Sequence, residues 1–168
     1  MNLETIAMIA SIIAVFVAIV ALILETRGQR LALQSDLLLK LQDKFDSTQM
    51  RSWRIINARK LRKNEAPGLE LEEILGFFSM MGFLVQRKAL DHSLVYKEFS
   101  YWIVRYWRCA EGYVQEARRA HPAVWKSLEY IAKKYMKWEQ KEGFTHSEKD
   151  LQAFILEETQ LLPQEDHA

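Results

Sequence analysis

Residues 5–24 form an uninterrupted apolar run, and this run constrains the chain more than any other stretch. Its twenty residues include no charged side chain, no proline and no glycine. At a rise of about 1.5 Å per residue they make a helix of about 30 Å, the thickness of the hydrocarbon core of a bilayer. The sequence therefore predicts a membrane anchor over residues 1–24.

The flanks of the run distinguish an anchor from a secretory signal peptide, which has a basic start, a shorter apolar stretch and small residues before its cleavage site. Here Glu4 stands where a cation is expected, and residues 22–25 offer no small-residue cleavage site. No Lys or Arg precedes the run, and four follow it within residues 25–46: Arg27, Arg30, Lys40 and Lys44. By the positive-inside rule we expect a single-pass protein of the inner membrane, with the N-terminus outside and the C-terminal domain cytoplasmic.

Small residues recur within the predicted anchor at spacings of four and three, which places them on one face of a helix. They are Ala7, Ser11, Ala14, Ala18 and Ala21. Helices in lipid associate by close packing over small side chains, because lipid is as apolar as leucine. This face predicts contact with another transmembrane helix, from a second copy or from a partner. The alternative is that alanine is common in such helices and the stripe has no role.

Residues 25–46 continue the helical pattern beyond the anchor. The segment contains one glycine, Gly28, and no proline. Large apolar residues recur on one face: Leu31, Leu38, Leu41 and Phe45. We therefore expect one helix over about residues 3–45, with residues 25–46 as an amphipathic stalk. Its leucine face needs cover from the rest of the domain or from another chain.

The remaining residues have the pattern of a helical bundle over residues 47–162, followed by a polar tail, 163–168. Helices are predicted over residues 48–63, 69–89, 93–119, 122–141 and 146–160. Six glycines and three prolines are few for the tight turns of an all-β fold. The predicted fold class is all-α: an N-terminal transmembrane helix that continues as a stalk into a bundle of about five cytoplasmic helices.

Three finer expectations concern the bundle. Residues 74–85 are apolar on all sides, which predicts a central core helix, and Gly76 and Gly82 would let its neighbours approach closely. Pro122 suits the first turn of the next-to-last helix. Thr145 with Glu148 has the form of a capping box at the last helix.

The sequence offers no signature of catalysis, of a metal or of a cofactor. His92, His121, His146 and His167 do not stand in a metal-ligand spacing. Cys109 is expected to be a buried, inert thiol, and no glycine-rich phosphate loop is present. We therefore expect a protein that is not an enzyme. A buried site among the aromatic residues near Trp102 and Trp107 stays open as an alternative.

Residues 51–63 carry the strongest local charge bias, with six cations and no acid. The candidate anion or headgroup contacts are Arg51, Arg54, Arg59, Arg62 and Lys63. Membrane lipid headgroups are the preferred partner, because an anchor tethers the domain near an anionic surface. Nucleic acid is disfavoured. The alternative is a solvated face that pairs with acidic side chains from other helices.

The segments 37–51, 77–91 and 99–107 resemble a family of short bacterial proteins that have one N-terminal membrane helix followed by a helical domain of unknown function. The resemblance covers about residues 20–140. It implies a bacterial source and a membrane-anchored, all-helical domain. It supplies no activity, cofactor or catalytic residue.

These observations predict a non-enzymatic, membrane-anchored helical module for interaction, assembly or regulation. An accessory subunit of a larger membrane complex is one form that such a module takes. The alternative is a membrane-tethered binder of nucleic acid or another anionic ligand through the basic helix 51–63. The small-residue face of the anchor and the leucine face of the stalk favour the first hypothesis.

Overall fold

The computed structural model describes residues 3–144 and 147–161; within its first helix, the side chains of residues 3–17, 20, 23 and 27 lie outside the description. The regular secondary structure of the described residues is entirely helical, which confirms the all-α class. The helices are α1 Leu3–Asp46, α2 Thr48–Arg62, α3 Leu69–Gln86, α4 His92–Ala120, α5 Lys126–Lys141 and α6 Glu148–Thr159. The chain divides into two compact units, Met1–Leu39 and Lys40–Ala168.

Helix α1, of 44 residues, contains the predicted stalk and residues 3–24 of the predicted anchor in one element. Within the part of the chain that the structure describes, no helix is long and apolar enough to cross a membrane. Most of the predicted small-residue face, namely Ala7, Ser11 and Ala14, lies outside the described side chains. The two described members of that face, Ala18 and Ala21, are exposed.

The N-termini of α2 and α4 are capped by side chains next to the predicted helix starts. The Ser47 hydroxyl accepts a hydrogen bond of 3.3 Å from the Met50 amide. The Asp91 carboxylate accepts bonds from the amides of Ser93 and Leu94, at 2.8 and 3.4 Å. Such caps satisfy amides that have no partner within the helix, so they determine where each helix begins.

The core of the unit Lys40–Ala168 is built around α3, which packs against α2, α4 and α5. Its side chains at Ile74, Leu75, Phe78 and Met81 are fully buried. The central core helix predicted over residues 74–85 is confirmed, although not every residue of the segment is buried: Gly76, Met80 and Phe83 are exposed. Gly76 and Met80 line a groove of about 180 Å³ together with Lys44, Met50 and Trp53 of α1 and α2, so α3 is central without being fully enclosed.

The two glycines of α3 have different environments. A Cβ at Gly82 would lie 2.2 Å from the Ser127 carbonyl oxygen, so the start of α5 reaches the α3 backbone only because position 82 lacks a side chain. A Cβ at Gly76 would meet nothing within 4 Å. The predicted close approach is therefore confirmed at Gly82 and wrong at Gly76.

Helix α5 begins four residues later than predicted. Residues 122–125 form a turn, closed by a bond of 3.0 Å from the Val124 amide to the His121 carbonyl. Trp125 then adopts a left-handed conformation with φ of 51°, and regular helix starts at Lys126. Pro122 therefore lies in the turn and not in the first turn of the helix. The Trp125 ring packs on Tyr113, with 5.9 Å between ring centroids, which holds this turn against α4.

The capping box of α6 uses other residues than predicted. Ser147 is the cap: its hydroxyl accepts a bond of 3.2 Å from the Asp150 amide, and the Asp150 carboxylate accepts one of 2.9 Å from the Ser147 amide. The Thr145–Glu148 prediction is wrong because α6 begins at Glu148; Thr145 itself lies outside the described residues. Aspartate serves here in the role that glutamate or glutamine plays in the usual box.

An aromatic cluster joins the end of α1 to α3 and α4. The Phe45 ring lies 5.7 Å from the rings of Phe77 and Phe78, 5.6 Å from Phe99 and 5.0 Å from Trp102. Most of these contacts are tilted or edge-to-face, the geometries that aromatic quadrupoles favour. Phe45 is thus a centre of the core, and Trp102 packs as part of it.

Candidate functional site

The five predicted anion contacts of α2 have different environments. Arg51 is partly buried and lies 3.4 Å from the Asp46 carboxylate. Arg54 is buried, whereas Arg59, Arg62 and Lys63 are exposed. The set therefore divides into an N-terminal part that takes part in internal pairing and a C-terminal part that faces solvent.

Arg54 is a correction to the predicted site. Its Nε and Nη2 donate to the two oxygens of Glu158, at 2.8 and 2.7 Å, and both side chains are about 4 % exposed. The guanidinium also lies over the Phe45 ring, 4.1 Å from its centroid. Because one edge of the guanidinium is bonded to Glu158 and one of its faces packs on Phe45, Arg54 cannot reach a lipid headgroup. The sequence analysis missed this because the partner lies on α6.

Tyr106 completes the buried group around Glu158. Its hydroxyl donates to Glu158 at 2.6 Å. Complete burial, followed by the charge of Glu158, raises the pKa of the Tyr106 phenol well above its usual value, so the phenol stays a donor. Glu158 thus accepts bonds from α2 and α4, and the group ties α6 to both helices.

The other cations of α2 are either paired or clustered at its end. Lys60 donates to Glu70 at 2.8 Å and links α2 to the start of α3. Arg59, Arg62 and Lys63 line one groove. They stand at positions i, i+3 and i+4, which are neighbours on a helix surface. Lys63 has the Glu65 carboxylate at 3.7 Å, and both of these side chains are more than half exposed.

A second candidate site is a cleft of about 210 Å³ between α4 and α5, which the sequence analysis did not identify. It is lined by Tyr96, Lys97, Ser100, Tyr101, Arg105, Glu139, Glu142 and Phe144. Tyr96 donates to Glu142 at 2.7 Å, and the Arg105 guanidinium lies 3.7 Å from the centroid of the Tyr101 ring. Convergent polar groups around a cleft are typical of ligand sites, although this cleft is small for one.

Glu139 is the buried acid of this cleft, at 7 % exposure. Burial raises the pKa of its carboxyl above the ordinary value. The charge of Arg105 and a hydrogen bond with Ser100 act against that rise, whereas the charge of Glu142 adds to it. A signal for it exists in the sequence: Glu139 continues the spacing of the buried α5 stripe Leu128, Ile131 and Tyr135. A carboxylate at an apolar register position marks a candidate for perturbed titration.

His92 lies in an aromatic environment at the start of α4. Its ring centroid is 5.9 Å from that of Tyr130, 6.3 Å from Tyr135 and 6.2 Å from Trp138. Burial and then the charge of Lys134 lower the pKa of the imidazole below 6.5, although Asp91 acts in the opposite direction. The ring is therefore held neutral near pH 7.

Among the residues that the structure describes, no group of three or more His, Cys, Asp or Glu could hold a metal ion. His146 and His167 lie outside those residues. Cys109 is half-buried, and burial raises the pKa of its thiol to about 12, far from the reactive thiolate form.

The predicted packing residues of the stalk range from exposed to buried. Leu31 is exposed and Leu38 is half-buried. Leu41 and Phe45 are buried in the core of the unit Lys40–Ala168. The apolar face that the sequence predicts along the whole stalk is thus exposed at Leu31 and buried at its C-terminal end, at Leu41 and Phe45.

Comparison with known proteins places the chain in a family without assigning it an activity. No curated protein matches it, and no solved structure does. A family model described as a domain of unknown function, DUF4760, matches residues 8–138. That match spans most of the predicted stalk and bundle, and it agrees with the expected resemblance to a family of unknown function. The chain belongs to the DUF4760 family.

Proposed function

We propose that this protein is a non-enzymatic, membrane-anchored module for interaction or assembly, tethered by the start of α1 with the unit Lys40–Ala168 in the cytoplasm. The observation that carries the proposal is a series of exposed large apolar side chains on α1. They are Ile19, Leu22, Leu24, Leu31, Leu33 and Leu39, each more than half exposed. Water-soluble monomers rarely expose so many large apolar residues on one element, so this surface favours burial against lipid or another helix.

The two parts of this series suit different surroundings. Ile19, Leu22 and Leu24 belong to the uncharged run 5–24, whose length matches a bilayer. Leu31, Leu33 and Leu39 follow the first cations, Arg27 and Arg30, and therefore stand among charged residues. Lipid suits the first group and a protein partner suits the second. The partner is a second copy or another membrane helix with an apolar face.

Membrane attachment is tested by fractionating cells that express the full chain. We expect the protein to stay in the membrane pellet after an alkaline carbonate wash, and a variant without residues 5–24 to move to the supernatant. Extraction of the full chain by carbonate would contradict the anchor.

Orientation is tested with the variant Gln140→Cys in a Cys109→Ser background, which is treated in intact cells with a membrane-impermeant maleimide. We expect labelling only after the membrane is opened, since Gln140 is exposed on α5; labelling in intact cells would reverse the orientation.

Assembly is tested by light scattering on the full chain in mild detergent. We expect an oligomer or a complex with a co-purifying membrane protein. The variant Leu31→Ser/Leu33→Ser/Leu39→Ser should reduce it to a monomer. The matched control is Leu69→Ser/Leu156→Ser, which changes exposed leucines outside α1 and should leave assembly intact. A strictly monomeric wild-type protein with nothing bound would contradict the proposal.

A further inference from the structure

We propose that the C-terminal end of α2 is a binding site for a phosphate group, formed by Arg59, Arg62 and Lys63. These side chains line a groove of about 240 Å³. A water molecule occupies about 30 Å³ in the liquid, so the groove has room for a phosphate and part of its substituent. The site goes beyond the proposed assembly function and does not depend on it.

The charge of this groove is distinct from the rest of the basic segment. Arg51, Arg54 and Lys60 each lie against an acid, namely Asp46, Glu158 and Glu70. Among the side chains that the structure describes, no acid forms a salt bridge with Arg59 or Arg62. The contact of Lys63 with Glu65 is long, at 3.7 Å, and exposed, so solvent screens it. Among the described side chains, acids therefore compensate little of the positive charge of Arg59, Arg62 and Lys63.

The spacing of the three cations favours an anion between them. Like charges at i, i+3 and i+4 repel each other on a helix surface. The negative end of the helix dipole offsets part of this repulsion, since cations near a C-terminus are favourable. An interaction of cations with the helix dipole, however, requires neither a groove nor arginine in two of the three positions. Arginine forks form paired hydrogen bonds with phosphate oxygens, which makes Arg59 and Arg62 suited to the ligand.

A compact phosphate ligand fits better than a nucleic acid. Nucleic-acid sites present basic residues along a face or stripe that follows the backbone. Here the cations of α2 that are unpaired or only weakly paired among the described side chains lie at one end of the helix, because Arg54 is buried in the core and Arg51 and Lys60 are paired. The phosphate can belong to a lipid headgroup or to a soluble compound, and the experiment separates these sources.

The test uses the full chain in an uncharged detergent. Pyrophosphate and inorganic phosphate are titrated by calorimetry, and a short-chain phosphatidylglycerol is compared with the matching phosphatidylcholine in mixed micelles. We expect binding that weakens with added salt. Arg59→Gln/Arg62→Gln/Lys63→Gln should weaken it at least about tenfold, because several charge-assisted hydrogen bonds are lost. The matched control is Arg87→Gln/Arg119→Gln/Lys137→Gln, which removes the same three charges from exposed positions elsewhere and should bind as the wild type does.

Each outcome decides the proposal. Binding of the soluble phosphates without a preference for phosphatidylglycerol supports a soluble ligand, and the reverse supports a headgroup. The charge-conserving variant Arg59→Lys/Arg62→Lys should keep part of the binding and confirm that the chain folds. Equal binding by the two triple variants, no binding to any probe, or binding to a DNA oligonucleotide alone would overturn the phosphate site.

Discussion

Arg54 and Glu158 stand 104 positions apart in the sequence, yet their buried side chains form two hydrogen bonds of 2.8 and 2.7 Å. Tyr106 adds a third bond to the same carboxylate. This group joins α2, α4 and α6. It also explains why α2, the helix with the strongest positive charge in the sequence, presents only part of that charge at the surface.

The first prediction concerns this ion pair. Glu158→Gln should lower the free energy of unfolding by about 3–5 kcal/mol, because it leaves a buried guanidinium without its counter-charge. Denaturant unfolding of the full chain in detergent measures it. Glu70→Gln is the matched control, since its pair with Lys60 is partly exposed and should be worth about 1 kcal/mol or less.

A further variant shows whether the loss of stability comes from the unpaired charge or from any change of side chain on α6. Replacing the whole polar group, as Arg54→Met/Tyr106→Phe/Glu158→Leu, should recover most of the loss, because apolar side chains of similar size leave no buried polar atom without a partner. A cost below about 1 kcal/mol for Glu158→Gln would mean that the pair is open to water in solution.

The second prediction uses the two glycines of α3. Gly82→Ala should destabilise the protein by about 1–3 kcal/mol, because the new Cβ would lie 2.2 Å from the backbone oxygen of Ser127 and α5 must shift. Gly76→Ala should stabilise it by about 0.5–1 kcal/mol, since alanine has the better helix propensity and meets no atom within 4 Å. Unfolding curves that move in the same direction for both variants would contradict the described approach of α5.

The third prediction is a pH dependence from His92. Burial lowers the pKa of its imidazole in the folded protein, whereas the unfolded chain takes up the proton near pH 6.5. The unfolded state therefore binds more protons as the pH falls below about 6.5, and stability decreases until the folded pKa is passed. His92→Gln should flatten the dependence of melting temperature on pH below about 6.5.

His121 provides the control for that measurement, because it is exposed in the turn before α5. His121→Gln should leave the slope unchanged. If His92→Gln keeps the full wild-type slope, the aromatic cluster of Tyr130, Tyr135 and Trp138 does not desolvate the ring in solution.

The fourth prediction concerns Glu139, whose shift has the opposite sign. Burial raises the pKa of this carboxyl in the folded state, so its contribution to stability is full below about pH 4.5 and is lost as the pH rises through the folded pKa. Glu139→Gln should therefore match the wild type near pH 4 and exceed it at pH 8. Glu73→Gln, at an exposed position on α3, should not show this difference. A loss of stability at pH 8 in Glu139→Gln would show that the ionised form is the favoured one.

Local patterns predicted the helices well, because helix formation depends on neighbouring residues. Spacing of apolar residues and capping side chains place α2 and α4 close to their predicted bounds. The predicted helix starts were wrong where two local signals competed, at α5 and α6. Pro122 can begin a helix or a turn, and the chain takes the turn because Trp125 adopts a left-handed conformation. Thr145 and Ser147 are both capable caps, and Ser147 is the one used.

The candidate site was less predictable, because charge in the sequence does not show which side chains are covered. Arg54 and Arg62 are equivalent in composition, but one faces α6 and the other faces solvent. Gly76 and Gly82 are likewise equivalent until the path of α5 is known.

By itself, the sequence determined the all-α class, the positions of the helices and the uncharged run 5–24, since each depends on residues within a few turns of one another. Only the tertiary structure decided that Arg54 pairs with Glu158, that Gly82 admits α5 and that Glu139 is buried. Those features depend on the rotation and approach of helices that are distant in the chain, and packing free energy summed over the whole core selects that arrangement.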